Sequence, residues 1–142
     1  MEEARSMNAE HQLRGLASWP AVLEATSFDF GHWEGGETRP DGVITMPYYV
    51  FSTRARELIS ALPVTPGFNW PDWMKTEEAQ SLVADHARIA AASADQLVKL
   101  TTAIVRSDRF TEGSIAGAFK SGLISAIARR AAVLTGGGSL ER

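Results

Sequence analysis

Apolar residues recur at helical spacing along most of this chain, with turn-forming residues between the runs, and that pattern predicts a mainly α protein. A first helix over 2–16 carries a stripe at Met7, Ala9, Leu13 and Leu16, with a frayed start. Ser18 can cap a second, with Pro20 in its first turn, where a missing amide costs little, and Trp19, Val22 and Leu23 turned inward. That helix should stop by Thr26. Over 28–51 the helical spacing disappears and Gly, Pro and aromatics take over. Thr38-Arg39-Pro40-Asp41-Gly42 is turn chemistry, so Phe28 and Phe30 on one side and 43–46 on the other predict a small β-hairpin near 28–50. Met46-Pro47-Tyr48 ends the second strand or confines it to an edge, because proline has no amide to donate.

The helical pattern returns at Ser52, an N-cap followed by Ala55, Leu58, Ile59 and Leu62 and stopped by Pro63. Residues 64–75 read as a loop anchored by Phe68, Trp70 and Trp73. Thr76 caps one helix over 76–92, with Glu77 and Glu78 at its positive end and Ala79, Leu82, Val83, His86, Ile89 and Ala90 inward. Ser93 and Gln96 have capping-box spacing and open a helix over 94–106 that is apolar on most of its circumference, hence central. Thr111 is a plausible N-cap for the next element. There Ile115, Ala118, Phe119 and Gly122 share one face and Leu123, Ile127, Ala131 and Leu134 another, which predicts two short helices joined near Ser121-Gly122. The outline is a single compact domain over 16–134 of five or six short helices with the small hairpin. A frayed N-terminal helix over 1–15 precedes it and a glycine-rich flexible tail over 135–142 follows.

Composition narrows the chemistry. At 142 residues the chain has one domain's length and enough of it to bury a core. It has no cysteine, which excludes disulfides, thiolate metal sites and a cysteine nucleophile. A net charge of -3 exerts no long-range pull on nucleic acid or anionic lipid. The acidic, polar start is no leader peptide, and no apolar run reaches membrane-spanning length, so a cytoplasmic location is expected.

The densest chemistry lies at Arg106, Asp108, Arg109 and Glu112, with Trp70 and Trp73 as potential neighbours. Two guanidinium groups, two carboxylates and indole faces suit a flat anionic ligand, held by bidentate hydrogen bonds and stacking. The reading to be preferred, since Arg-carboxylate pairs at helix ends are common architecture, is an internal ion-pair network that clamps the helix junction to the aromatic loop. Asp29, His32 and Glu34 form a carboxylate-imidazole cluster, but alternation along an extended segment puts His32 and Glu34 on one face and Asp29 on the other. No metal and no cofactor are therefore expected. Asp29-Phe30-Gly31 lacks every other kinase element, Gly35-Gly36 lacks the context of a phosphate loop, and no G-x-S-x-G elbow occurs.

The motifs W-x-G-G at Trp33 to Gly36, M-P-Y at Met46 to Tyr48, F-x-W-x-x-W at Phe68 to Trp73, R-x-D-R-F-x-E-G at Arg106 to Gly113 and S-G-x-I at Ser121 to Ile124 resemble a bacterial and phage family catalogued as a domain of unknown function. The resemblance runs from about Leu16 to Leu134, departs at Thr111, where a small residue such as Cys is expected, and implies a compact domain with no assigned activity. With no complete catalytic constellation in the chain, the leading expectation is a non-enzymatic binding or interaction module, its partner an unknown protein or a small anionic ligand. The alternative is a small enzyme acting on a phosphorylated or nucleotide-like substrate, with Arg106 and Arg109 as anion clamps and Asp108 or Glu112 as general base. A helix-turn-helix at Ser121-Gly122 is the third option. It is opposed by apolar Leu123-Ile124 at the end that would read bases, and by Arg129 and Arg130 at the far end.

Overall fold

A computed structural model of the chain describes residues 9–24, 28–108 and 113–136. Among these it is mainly helical with one two-stranded antiparallel sheet. Residues 9–13 are helical and run into a 3-10 turn at Arg14–Leu16. Eight α-helices follow: α1 (Trp19–Glu24), α2 (Thr53–Ala61), α3 (Trp70–Met74), α4 (Glu77–Ala84), α5 (His86–Ile89), α6 (Ala94–Ser107), α7 (Ser114–Lys120) and α8 (Leu123–Leu134). Strands β1 (Gly31–Glu34) and β2 (Tyr48–Phe51) lie between α1 and α2.

The helix count exceeds the expected five or six for two local reasons. Residues 70–74, expected as loop, form a helical turn because the Asn69 side chain caps it by accepting from the Asp72 amide at 3.2 Å, with Pro71 pre-setting its first turn. The single helix expected over 76–92 breaks at Asp85, which takes an extended conformation and caps α5 by accepting from the Ala87 amide at 3.0 Å. Val83 and Ala90, expected inward, are exposed, one on each side of the break. Caps at Ser52, Thr76 and Ser93 form where the pattern puts them, and Ser93 and Gln96 make both bonds of a capping box.

The hairpin departs more. Its turn is at 39–42, where the Gly42 amide donates to the Arg39 carbonyl at 2.9 Å and the Arg39 amide to the Val43 carbonyl at 2.7 Å. Its regular strands, however, lie far from that turn, pairing Gly31 with Phe51 and Glu34 with Tyr48. The second strand thus follows Pro47 instead of preceding it, and 43–46 forms only an isolated bridge, Thr38 with Ile44. Gly35 and Gly36, both at positive φ, interrupt the ladder between the two segments. The result is a long ribbon whose residues 32–44 are all exposed, hereafter the arm.

Aromatic packing roots the arm on α7. Phe30 stacks on Phe119 with ring centroids 4.2 Å apart and meets Phe51 edge-on at 5.7 Å, and Phe28 touches Phe119 at 5.6 Å. Ser52 ties the base of β1 to α2, donating to the Asp29 carbonyl at 2.6 Å and accepting from the Ala55 amide at 3.0 Å.

The core is shared by α6 and α8. Leu97, Leu100, Thr101 and Thr102 of α6 and Ile124, Ile127, Ala128 and Ala131 of α8 are fully or almost fully buried. Alpha-helix α8 packs against α1, the 3-10 turn, α5, α6 and α7, so the last helix is as central as the one the sequence singles out. The two buried threonines lace the 63–65 loop to α6: Thr101 Oγ1 donates to the Pro63 carbonyl at 2.8 Å, and Thr102 Oγ1 accepts from the Thr65 amide at 2.9 Å. Leu13 and Leu16 are fully buried as well.

Candidate functional site

An apolar cleft of about 310 Å3 opens between α3, α6 and α7, with Val83 of α4 and Leu123 of α8 also in its lining. Trp70 and Met74 form one wall, Leu100, Ala103 and Ile104 a second, and Gly117 and Ala118 a third. Helical periodicity explains why they face one another: 100, 103, 104 and 107 share one stripe of α6, and 114, 117, 118 and 121 share one stripe along α7 and its C-cap. Ser107, Ser114 and Ser121 supply hydroxyl groups to the lining. Ser107 and Ser121 each donate to a backbone carbonyl one turn back, at 3.1 Å, and Ser121 Oγ also accepts from the Leu123 amide at 3.4 Å.

Gly117 is the unusual lining residue. It sits inside α7, where glycine costs about 1 kcal/mol relative to alanine. Its φ is not positive, and a Cβ built on it would meet no atom within 4 Å. Neither backbone conformation nor close packing calls for glycine there; what its bareness does is keep the cleft wall open.

Of the residues the sequence singles out, the structure brings Trp70 and the end of α6 to this cleft. Asp108 is the C-cap of α6, and its Oδ1 accepts from the Ile115 amide at 3.1 Å, spanning the junction to α7. This carboxylate takes the part that Thr111 was expected to play, since α7 begins at Ser114 with Gly113 in the N-cap position. Arg106 is half-buried in the last turn of α6 and follows Val105 into the segment that ends at the cleft residue Ser107. Arg109, Glu112 and Thr111 lie outside the described residues. Trp73 does not line the cleft. It is buried, packs on Phe68 with centroids 5.9 Å apart, and donates from Nε1 to Glu78 Oε1 at 2.7 Å. Glu78 Oε2 in turn accepts from Gln96 Nε2 at 3.1 Å, so Trp73 belongs to a clamp between α3, α4 and the cap of α6.

Other concave or polar places offer less. A broader depression of about 620 Å3 borders Glu77, Glu78, Arg88 and Gln96, but Glu78 and Gln96 are already spent on that clamp. On the arm, His32 Nε2 lies 2.7 Å from Glu34 Oε2, and Tyr48 donates to Glu34 Oε1 at 3.4 Å, all in the open. Asp29 stands apart from that pair, its carboxylate accepting from the Gly31 amide at 3.2 Å. Among the described residues no three His, Asp or Glu side chains are grouped to hold a metal. Leu123 and Ile124, which would read bases if α7 and α8 were a helix-turn-helix, are buried. Arg129 pairs with Glu24 at 3.1 Å, and Arg130 donates to the Ala92 carbonyl at 2.8 Å.

A family model described as a family of unknown function, DUF6508, matches residues 8–136. The chain belongs to that family. The DUF6508 match takes in the cleft, the arm and the N-terminal segment that buries Leu13 and Leu16, so it covers more than the stretch from Leu16 to Leu134 that the motifs mark. No curated protein and no solved structure matches the chain.

Three of the motifs each give residues to the cleft lining, Trp70, Ser107, and Ser121 with Leu123, but none of them by itself marks a cleft, whose walls come from separate helices. Gly117, a glycine inside a helical pattern, is a further sequence signal for it. The described helices include none long and apolar enough to cross a membrane.

Proposed function

We propose that this DUF6508 chain is a non-enzymatic interaction module whose cleft beside Gly117 receives an apolar side chain of a protein partner, in the bacterial or phage cytoplasm that the sequence resemblance suggests. The observation that carries this is Gly117: α7 gives up helix stability at a position that lines the cleft and where a Cβ would meet nothing within 4 Å. The volume, the largely apolar walls and a few hydroxyls are what a recognition pocket needs. Asp108, one of the two carboxylates an enzymatic reading would use as base, has its Oδ1 engaged in capping α7 through the Ile115 amide, which supports a structural part for it.

The test is a fluorescence titration of dilute protein with 1-anilinonaphthalene-8-sulfonate, a dye that brightens in apolar sites. Wild type is expected to bind saturably. Gly117→Ala should be more stable by about 0.5–1 kcal/mol, since only helix propensity changes. Gly117→Leu, with circular dichroism unchanged, should lose at least tenfold in dye affinity. Dye binding by a folded Gly117→Leu protein equal to that of wild type would rule the cleft out.

A further inference from the structure

We propose that a second concave place, a pocket of about 120 Å3 between α5 and α8, is an anion site that takes one phosphate group. It shares no lining residue with the cleft beside Gly117 and does not depend on that reading.

Helical spacing assembles the pocket. Ala126, Arg129, Arg130 and Val133 form one stripe of α8 at i, i+3, i+4 and i+7, and His86 and Ala90 lie one turn apart along α5 and its C-cap. The two helices pack together, so the stripes meet. A stripe between packed helices is normally apolar. Here Ala90, Ala126 and Val133 are, but His86, Arg129 and Arg130 bring hydrogen-bond donors, and no Asp or Glu is in the lining.

These donors are held in place yet keep capacity for a ligand. Arg130 is half-buried, and its Nε donates to the Ala92 carbonyl at 2.8 Å. That bond anchors the guanidinium but supplies no opposite charge, and its terminal nitrogens have no partner among the described residues. Guanidinium groups withdrawn from water are ordinarily paired, so a bound anion would complete this one. The His86 ring sits against Gly122, where a Cβ would lie 3.3 Å from Cε1. Gly122 has φ 87°, so the glycine that turns the chain from α7 into α8 also gives the imidazole its seat. Neither ring nitrogen has a partner among the described residues.

Acids nearby offset only part of the charge. Arg129 is the more open arginine, and its Nη1 pairs with Glu24 Oε1 at 3.1 Å. Asp85, next to His86 in the chain, is outside the lining, and its Oδ1 accepts from the Ala87 amide at 3.0 Å. Two arginines against Glu24 leave the pocket positive in a chain of net charge -3, and the apolar walls concentrate its field. Guanidinium groups meet phosphate oxygens through paired N–H bonds. The volume equals roughly four waters at about 30 Å3 each, which suits one tetrahedral oxyanion and is too small for a nucleotide. The ligand is thus inorganic phosphate or the terminal phosphate of a small phosphomonoester whose remainder stays outside.

The experiment is an NMR titration of the full chain with potassium phosphate, and in parallel with glycerol 3-phosphate, at constant pH and with ionic strength held by potassium chloride. Amide signals of residues 86–92 and 126–133 should shift saturably. Arg130→Gln should raise the dissociation constant about tenfold with circular dichroism unchanged. Val133→Glu puts a carboxylate at the rim, on a residue 61% exposed where the fold tolerates it, and should raise the constant about fivefold. Glu24→Gln, which removes the opposing charge, should lower it about twofold, a gain that purely structural arginines would not give. Tighter binding of glycerol 3-phosphate than of phosphate identifies a phosphomonoester as the ligand, and equal or weaker binding identifies the inorganic ion. Shifts that do not saturate, or that potassium chloride reproduces, overturn the proposal. A folded Val133→Glu protein that binds phosphate as wild type does overturns it as well, whether or not Arg130→Gln folds.

Discussion

Two residues show how differently single positions are constrained here. Gly113 has φ 97°, and a Cβ placed on it would lie 2.9 Å from Trp33 Cζ2. The left-handed conformation and the overlying indole each exclude a side chain, so Gly113→Ala should cost about 2 kcal/mol, seen as a lower midpoint in urea denaturation. Gly117→Ala, a few residues on and inside the helix that Gly113 precedes, should act in the opposite direction. Sequence alone could not separate these two glycines, because the indole that presses on Gly113 comes from the arm. Tyr49 is set apart by its surroundings: burial foremost, and the Asp29 carboxylate after it, push its phenol above the ordinary 10.0. The neutral form is therefore favoured in the folded chain, and below 10.0 folded and unfolded chains are both protonated there, so this group adds no slope. As pH rises past 10.0 the unfolded chain ionises first and stability falls. Thermal unfolding followed from neutral into that alkaline range should fall less steeply for Tyr49→Phe than for wild type.

At the scale of elements, what could be read in advance was whatever is decided within a few residues. Ser52, Thr76 and Ser93 cap helices as expected because a hydroxyl and an amide three positions on need nothing else in the molecule. Asn69 and Asp85 work by the same local chemistry but were hidden, one under a proline-rich aromatic run and the other inside a continuous helical pattern. The hairpin turn was legible for its local Pro-Asp-Gly chemistry, while the strand pairing was not, since Gly35 and Gly36 move the regular ladder to the arm's base. Asp108 is the instructive case. Its charge drew attention as chemistry, yet its position makes it the cap of a helix that starts several residues later. Asp108→Ala should cost about 1 kcal/mol, the usual worth of an N-cap side chain, and Asp108→Asn should recover most of it, because the amide oxygen can still accept. Chemical denaturation of the pair decides this: equal losses in both variants would mean that the negative charge, and not the hydrogen bond, is what the site uses.

On the scale of the whole molecule, a helical body and an arm answer to different requirements. The body is built around α6 and α8, whose inward residues lie in a contiguous core with Leu13, Leu58 and Ile89, and its helical periodicity made it legible. The cleft was not legible, because its walls come from several helices whose relative placement periodicity does not give. Nor was the arm's projection, which depends on where the ladder breaks. Since residues 32–44 are exposed, the body should fold without the arm's outer part. The register makes that testable in one construction: Glu34 and Tyr48 face each other directly, so an Asn-Gly turn in place of residues 35–47 closes an ordinary two-residue hairpin. The aromatic contacts of Phe30, Tyr49 and Phe51 remain below the cut, and so does the Trp33 indole over Gly113. The shortened chain should keep its denaturation free energy within about 1 kcal/mol of wild type, as expected when nearly all the residues lost are exposed. A large loss of stability would show that the ribbon is structural and that its apolar side chains serve the body, whereas unchanged stability leaves those side chains with no use except outside their own fold.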